Sequence, residues 1–186
     1  MPNPGFAPLV SLACHDLRTP LATVTGFAKT LRRGGTLAER EERFAGLIEA
    51  AADQMAALLD LLGLAARIES GRYEPVLAEA DTRELALSPD ERVHVVGDGE
   101  AVQTDADAVR RALGALARAA AVYGAVPAVT WTVAGRSLAL APLEREAPAV
   151  VTGEAPRDLG ALVARMVIER LGGGVELAPG ELRVRL

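Results

Sequence analysis

The chain is predicted to be an α+β protein in two parts: a helical hairpin over residues 1–71 that pairs with a second copy into a four-helix bundle, then an α/β sandwich over 72–186. Three observations predict it. Two long segments on either side of Gly34-Gly35 carry apolar residues at alternating steps of four and three. From Tyr73 onward that rhythm gives way to short alternating runs punctuated by glycine and proline. Half of the 186 residues are hydrophobic but only 3% aromatic, enough for a sizeable core built from Ala, Leu and Val.

Met1 to Ala7, with two prolines and a glycine, reads as a lead-in. A first helix is expected from Pro8 to Arg33, because Val10, Cys14, Leu17, Leu21, Val24, Ala28 and Leu31 repeat as a heptad seam. Ser11, His15, Arg18, Ala22 and Thr25 follow one position later and so flank the seam, which leaves the His15 ring open to water. Pro20 lies inside this helix, where it lacks a donor and bends the chain one turn beyond His15. Gly34-Gly35 breaks the helix, and Thr36 with Glu39 fits a capping box for the next. The second helix runs to about Ser70, with Gly71 as its C′ residue. Its seam is Phe44, Ile48, Ala51, Met55, Leu58, Leu62 and Ala65, widened by Leu47, Leu59 and Leu61. One hairpin cannot cover two stripes that broad. A second copy can, and the alternative is that the rest of the chain does so.

In the second part, Arg92 to Gly97 reads as a strand and Asp105 to Tyr123 as a helix with Asp105 as N-cap. Val126 to Val133 and Ser137 to Ala141 are expected to pair around Ala134-Gly135. Arg157 to Leu171 forms a helix closed by Gly172-Gly173-Gly174, and Val175 to Leu177 pairs with Leu182 to Leu186 across Pro179-Gly180. His94, alternating with valines, reads as structural.

A net charge of −5 argues against nucleic acid as a partner, and no polybasic patch points to a membrane surface. Cys14 is the sole cysteine and lies on the seam as a small hydrophobe. No apolar run reaches the roughly 18 residues of a membrane span, and the N-terminus lacks a signal-peptide pattern. The expectation is a cytoplasmic protein.

His15-Asp16-Leu17-Arg18-Thr19-Pro20, set in such a helix, resembles the H-box of bacterial two-component sensor histidine kinases. The resemblance implies that His15 accepts a phosphoryl group and that Asp16 holds the proton of its second ring nitrogen. It implies that Thr19, one turn on, positions water for phosphatase chemistry, and that the hairpin dimerises. Ser11, Arg18, Ala22 and Thr25 would then line the docking face for receiver domains. Attack on phosphorus needs an unprotonated ring nitrogen.

The element order of the second part resembles the kinases' ATP-binding domain, which has the Bergerat fold, but its chemistry departs from that pattern. Ala115 and Ala119 stand where the family has asparagines, the second of which holds magnesium; a methyl group cannot ligate a hard cation. Leu138 to Ala147 holds no Asp-x-Gly-x-Gly loop. Asp158 puts a carboxylate where triphosphate would lie, and the lid is shortened to about Pro148–Pro156. Losing two or three charged anchors, each about 1.5–3 kcal/mol, weakens binding on the order of a thousandfold.

The expectation is therefore a degenerate Bergerat-like domain with no cofactor and no metal. The chain is read as a dimeric histidine phosphotransfer protein resembling a decayed kinase, relaying phosphate between receiver-domain aspartates, with an upstream histidine kinase as a further partner. The alternatives are an ATP-dependent kinase using ATP and magnesium, or a response-regulator phosphatase or scaffold.

Overall fold

The structure is a computed structural model that describes residues 6–33 and 39–186; for 6–9, 11–13 and 16 it describes the helical backbone alone. The Gly34-Gly35 break and the Thr36–Glu39 capping box lie outside the described residues. The chain divides into two compact units, Met1–Arg72 and Tyr73–Leu186.

The first unit is two helices, α1 (Phe6–Arg33) and α2 (Glu39–Glu69). Ion pairs Arg18–Asp60 (2.6 Å) and Arg32–Glu49 (2.5 Å) link them, numbers rising on one helix as they fall on the other, so the pair is antiparallel. Between them lie Cys14, Leu21 and Ala28 from α1 and Ala45, Ala52, Gly63 and Ala66 from α2, all buried. That differs from the expected seams. On α1 only every second seam residue packs inward, and Leu17, Val24 and Leu31 stay exposed. On α2 the packed line falls one position later than expected, leaving Phe44, Ile48, Ala51, Met55, Leu58 and Leu62 exposed. Small side chains let two helices approach closely, whereas a line of Phe, Ile, Met and Leu would hold them apart. The C-terminus of α2 ends as expected. Gly71 adopts φ +70°, its N–H bonds the Ile68 carbonyl, and the Arg72 N–H bonds that of Arg67, which is a Schellman closure.

The second unit begins with β1 (Ala78–Asp81), α3 (Thr82–Ala86), β2 (Val93–Gly99), β3 (Ala101–Thr104) and α4 (Ala106–Gly124). It continues with β4 (Val129–Gly135), β5 (Ser137–Ala141), α5 (Ala147–Val151), α6 (Leu159–Arg170), β6 (Gly174–Ala178) and β7 (Glu181–Arg185). Five strands form a mixed sheet in the order β2-β4-β5-β7-β6, parallel only between β2 and β4. Period-two alternation turns Val93, Val129, Trp131, Val133, Leu138, Leu140, Leu182 and Val184 inward. Against them lie the apolar stripes of α4 (Val109, Leu113, Leu116, Ala120) and α6 (Ala164, Val167, Ile168). This is the expected α/β sandwich.

Four elements were not expected: β1, β3, α3 and α5. β1 and β3 pair antiparallel from Ala78↔Thr104 to Asp81↔Ala101. The buried Thr82 hydroxyl donates to the Gly135 carbonyl (2.6 Å) and accepts from the Glu100 N–H (3.0 Å). β4 starts at Val129 rather than Val126, because the Val126 N–H still bonds the Ala121 carbonyl of α4. Proline at 127 then has no N–H for a ladder. The β4–β5 connection is Gly135-Arg136, one residue later than expected, with Ala134 facing Ser137. Asp105 caps α4 as expected, accepting from the Ala108 N–H (3.1 Å), the Tyr73 hydroxyl (2.8 Å) and the Val76 N–H (3.3 Å).

Candidate functional site

On α1 the buried Cys14 faces α2, and one step of about 100° further round the helix the His15 side chain stands exposed. Leu17, Arg18, Thr19, Pro20 and Ala22 are exposed as well, so this face of the helix is open. The helix continues through Pro20, which gives the carbonyl four residues back no N–H. Thr23 donates its hydroxyl to the Thr19 carbonyl (3.2 Å), and half-buried Thr25 donates to that of Leu21 (2.9 Å). The Thr25 hydroxyl is thus engaged by its own helix. Asp16 and Ser11 lie in α1, and their side chains are outside the described residues. Arg18 turns to α2, where its Nη2 meets Asp60 Oδ1 at 2.6 Å.

Asp60 escaped the sequence reading. No local pattern marked it, because its partner lies 42 residues away on the other helix.

In the second unit, the positions matched to nucleotide-binding residues sit where α4 meets α6. Ala119 is fully buried and Ala115 half-buried. Asp158 is the N-cap of α6, accepting from the Ala161 N–H (2.9 Å), and lies 3.5 Å from Arg118 Nη2. The helices are close here. A Cβ on Gly160 would come within 2.8 Å of Arg118 Nη2, 3.0 Å of Asp158 Oδ1 and 3.3 Å of Ala115 Cβ.

The segment expected as a short lid is pinned. α5 buries Ala147, Val150 and Val151. Beyond it Gly153, at φ +78°, fits against Leu162 and Arg165. The Tyr123 hydroxyl holds the Arg157 carbonyl (2.9 Å), and Arg157 pairs with Glu146. These braces also went unseen in the sequence. Among the described residues no three His, Cys, Asp or Glu side chains gather as a metal site, and no helix is long and apolar enough to cross a membrane.

The His Kinase A (phospho-acceptor) domain family matches residues 9–71. The hairpin, residues 9–71, belongs to the His Kinase A (phospho-acceptor) domain family. The sensor protein DivL of Caulobacter vibrioides is 31% identical over 78 residues, which is 42% of this chain and 10% of DivL. Among solved structures, full-length ShkA in complex with AMPPNP superposes with a TM-score of 0.64 at 16% identity, covering 96% of this chain and 44% of ShkA. The Acinetobacter baumannii histidine kinase AdeS has a TM-score of 0.54 at 14% identity, covering 92% and 96% of the two chains. The chain thus spans about a tenth of DivL and less than half of ShkA. The structural likeness extends over both units and concerns the fold.

Proposed function

We propose that this phosphoacceptor protein relays phosphoryl groups through His15, to and from receiver-domain aspartates, without ATP. The carrying observation is the exposed imidazole on a phosphoacceptor helix. An unprotonated ring nitrogen attacks the phosphorus of an aspartyl phosphate. The P–O bond breaks with its electron pair left on the receiver carboxylate, the N–P bond forms, and the ring gives up the proton of its other nitrogen, to Asp16 in this reading. The return step runs the same path onto a second receiver. Thr19, exposed one turn along, orients water when phosphate is removed instead.

Magnesium-nucleotide does not suit the residues at the α4–α6 junction. Ala119 supplies a buried methyl where an oxygen ligand is wanted. The N-terminus of α6, which otherwise favours an anion, already has its own carboxylate there, that of Asp158. The receiver face comprises Ser11, Arg18, Ala22 and Thr25.

A second copy completes the bundle. Leu17, Val24, Phe27 and Leu31 on α1 and Phe44, Leu47, Ile48, Met55, Leu58 and Leu62 on α2 are exposed, Phe27 to 67%. Covering ten half-exposed side chains of this size yields on the order of 10 kcal/mol before association costs.

The kinase reading is favoured by the fold shared with ShkA, itself crystallised with AMPPNP. Labelled ATP and a labelled phospho-receiver, offered separately, decide between the two. Acid-labile label on His15 from the receiver alone, abolished by His15→Ala, is the expected result. Label from ATP makes the protein a kinase. Loss of receiver phosphate with no label on His15 makes it a phosphatase.

A further inference from the structure

Arg18 is three residues beyond His15, a spacing that makes two side chains neighbours on a helix surface. It does not stand alone. Gly63 on α2 has no side chain, and a Cβ there would lie 3.8 Å from both Arg18 Nη2 and Arg67 Nη1. Two guanidinium groups therefore share the space over Gly63, one turn from the phosphoacceptor. Among the described residues, Asp60 is the carboxylate within ion-pair distance of either, and it engages Arg18 through one contact at 2.6 Å. Over Gly63 two cations face one anion, on the helix pair that is to carry a phosphoryl group on His15.

Arg18 and Asp60 are exposed to 44% and 70%. Such a pair is weakly held in water and exchanges partners readily. Guanidinium prefers a phosphoryl group that offers several oxygens to its fork of donors.

We propose that Arg18 is the counter-ion of phosphorylated His15, docked on Asp60 while the histidine is free and transferred to the phosphoryl oxygens once the N–P bond forms, with Arg67 adding positive charge behind it. Asp60 is then a competitor for the guanidinium. It sets how tightly the phosphoryl group is held and how readily it passes on. No bond to phosphorus is made or broken by this exchange. The inference rests on the phosphoacceptor role of His15.

The test uses the full chain and potassium phosphoramidate, a small donor that phosphorylates histidine with neither nucleotide nor receiver present. Loss of phosphohistidine is then followed by phosphorus NMR. Arg18→Ala is expected to shorten the lifetime by roughly two- to fivefold, the range an exposed charge pair supports. Asp60→Asn, which frees the arginine, is expected to lengthen it, and Arg18→Lys to fall between wild type and Arg18→Ala. Opposite signs for the two partners mark the exchange. A mere brace between helices predicts that both variants lower the melting temperature and leave the lifetime unchanged, and that result overturns the proposal. So does a lifetime shortened equally by both. Failure of the relay shows separately, as a receiver that gives His15 nothing while these lifetimes still diverge.

Discussion

Tyr73 is the first residue of the second unit, and its phenol is almost wholly buried. Burial, and then the hydrogen bond it donates to Asp105, push its pKa from 10.0 up to about 12. For Asp105 burial works against ionisation, but the Ala108 N–H, the Tyr73 hydroxyl and the Val76 N–H outweigh it and hold the carboxyl below its ordinary value. The two groups act at opposite ends of the pH scale. A phenol with a raised folded pKa stabilises fully below pH 10 and loses that contribution as pH climbs from 10 to about 12. A carboxyl with a lowered folded pKa stabilises above its unfolded value and loses that contribution as pH falls through the folded one. Phenolate absorbance in a Tyr123→Phe background should place the Tyr73 midpoint near 12, and Asp105→Asn should bring it down. Little of this was legible in the sequence. Asp105 could be read as a cap from its place before an apolar-periodic run, but its partner lies 32 residues earlier, a separation that no local pattern encodes.

At the scale of elements, α4 and α6 end and begin on residues chosen for different reasons. The helix α4 closes with Ala125 in the left-handed region at φ 52°, its N–H on the Val122 carbonyl and that of Val126 on Ala121. An L residue pays for that conformation, whereas glycine does not. Ala125→Gly should therefore raise unfolding stability by about 1 kcal/mol, read from urea denaturation. Asp158 opens α6, and Asp158→Ala should cost about 1 kcal/mol through the lost cap, with a smaller share from the Arg118 pair. The long elements could be read from sequence because each carries several turns of periodic side chains. β1, with Ala-Glu-Ala-Asp, and β3, with Ala-Val-Gln-Thr, have no such signal. They exist as strands because each pairs with the other and because Thr82 ties Gly135 and Glu100 together behind them. The same holds for α5, five residues held by burial rather than by helix propensity.

For the whole molecule, the exposed apolar face of the hairpin is the surface on which the proposed second copy is tested. Leu58→Glu together with Met55→Glu replaces two of its side chains by charges that a buried interface cannot accept unpaired. Light scattering should show the wild-type chain as a dimer and the double variant as a monomer, with the second unit still folded. An unchanged mass for both would place the second copy elsewhere or remove it. On the relay reading proposed above, magnesium-ATP titrated into the wild-type protein should show no saturable heat at millimolar nucleotide, because Ala119 offers only a methyl group and Asp158 a carboxylate.

The seven-residue repeat marked the two long helices, and the cluster from His15 to Pro20 marked the phosphoacceptor domain, because both are written in residues close together in the chain. Which line of each helix meets the other was not written there. Large and small side chains alternate within one repeat, and only the approach distance of two backbones selects Ala45, Ala52, Gly63 and Ala66 over Phe44, Ile48 and Leu62. That same choice brings Asp60 and Gly63 under Arg18, 42 residues away in the first case. Periodicity is a property of one helix, whereas a contact between charges requires two.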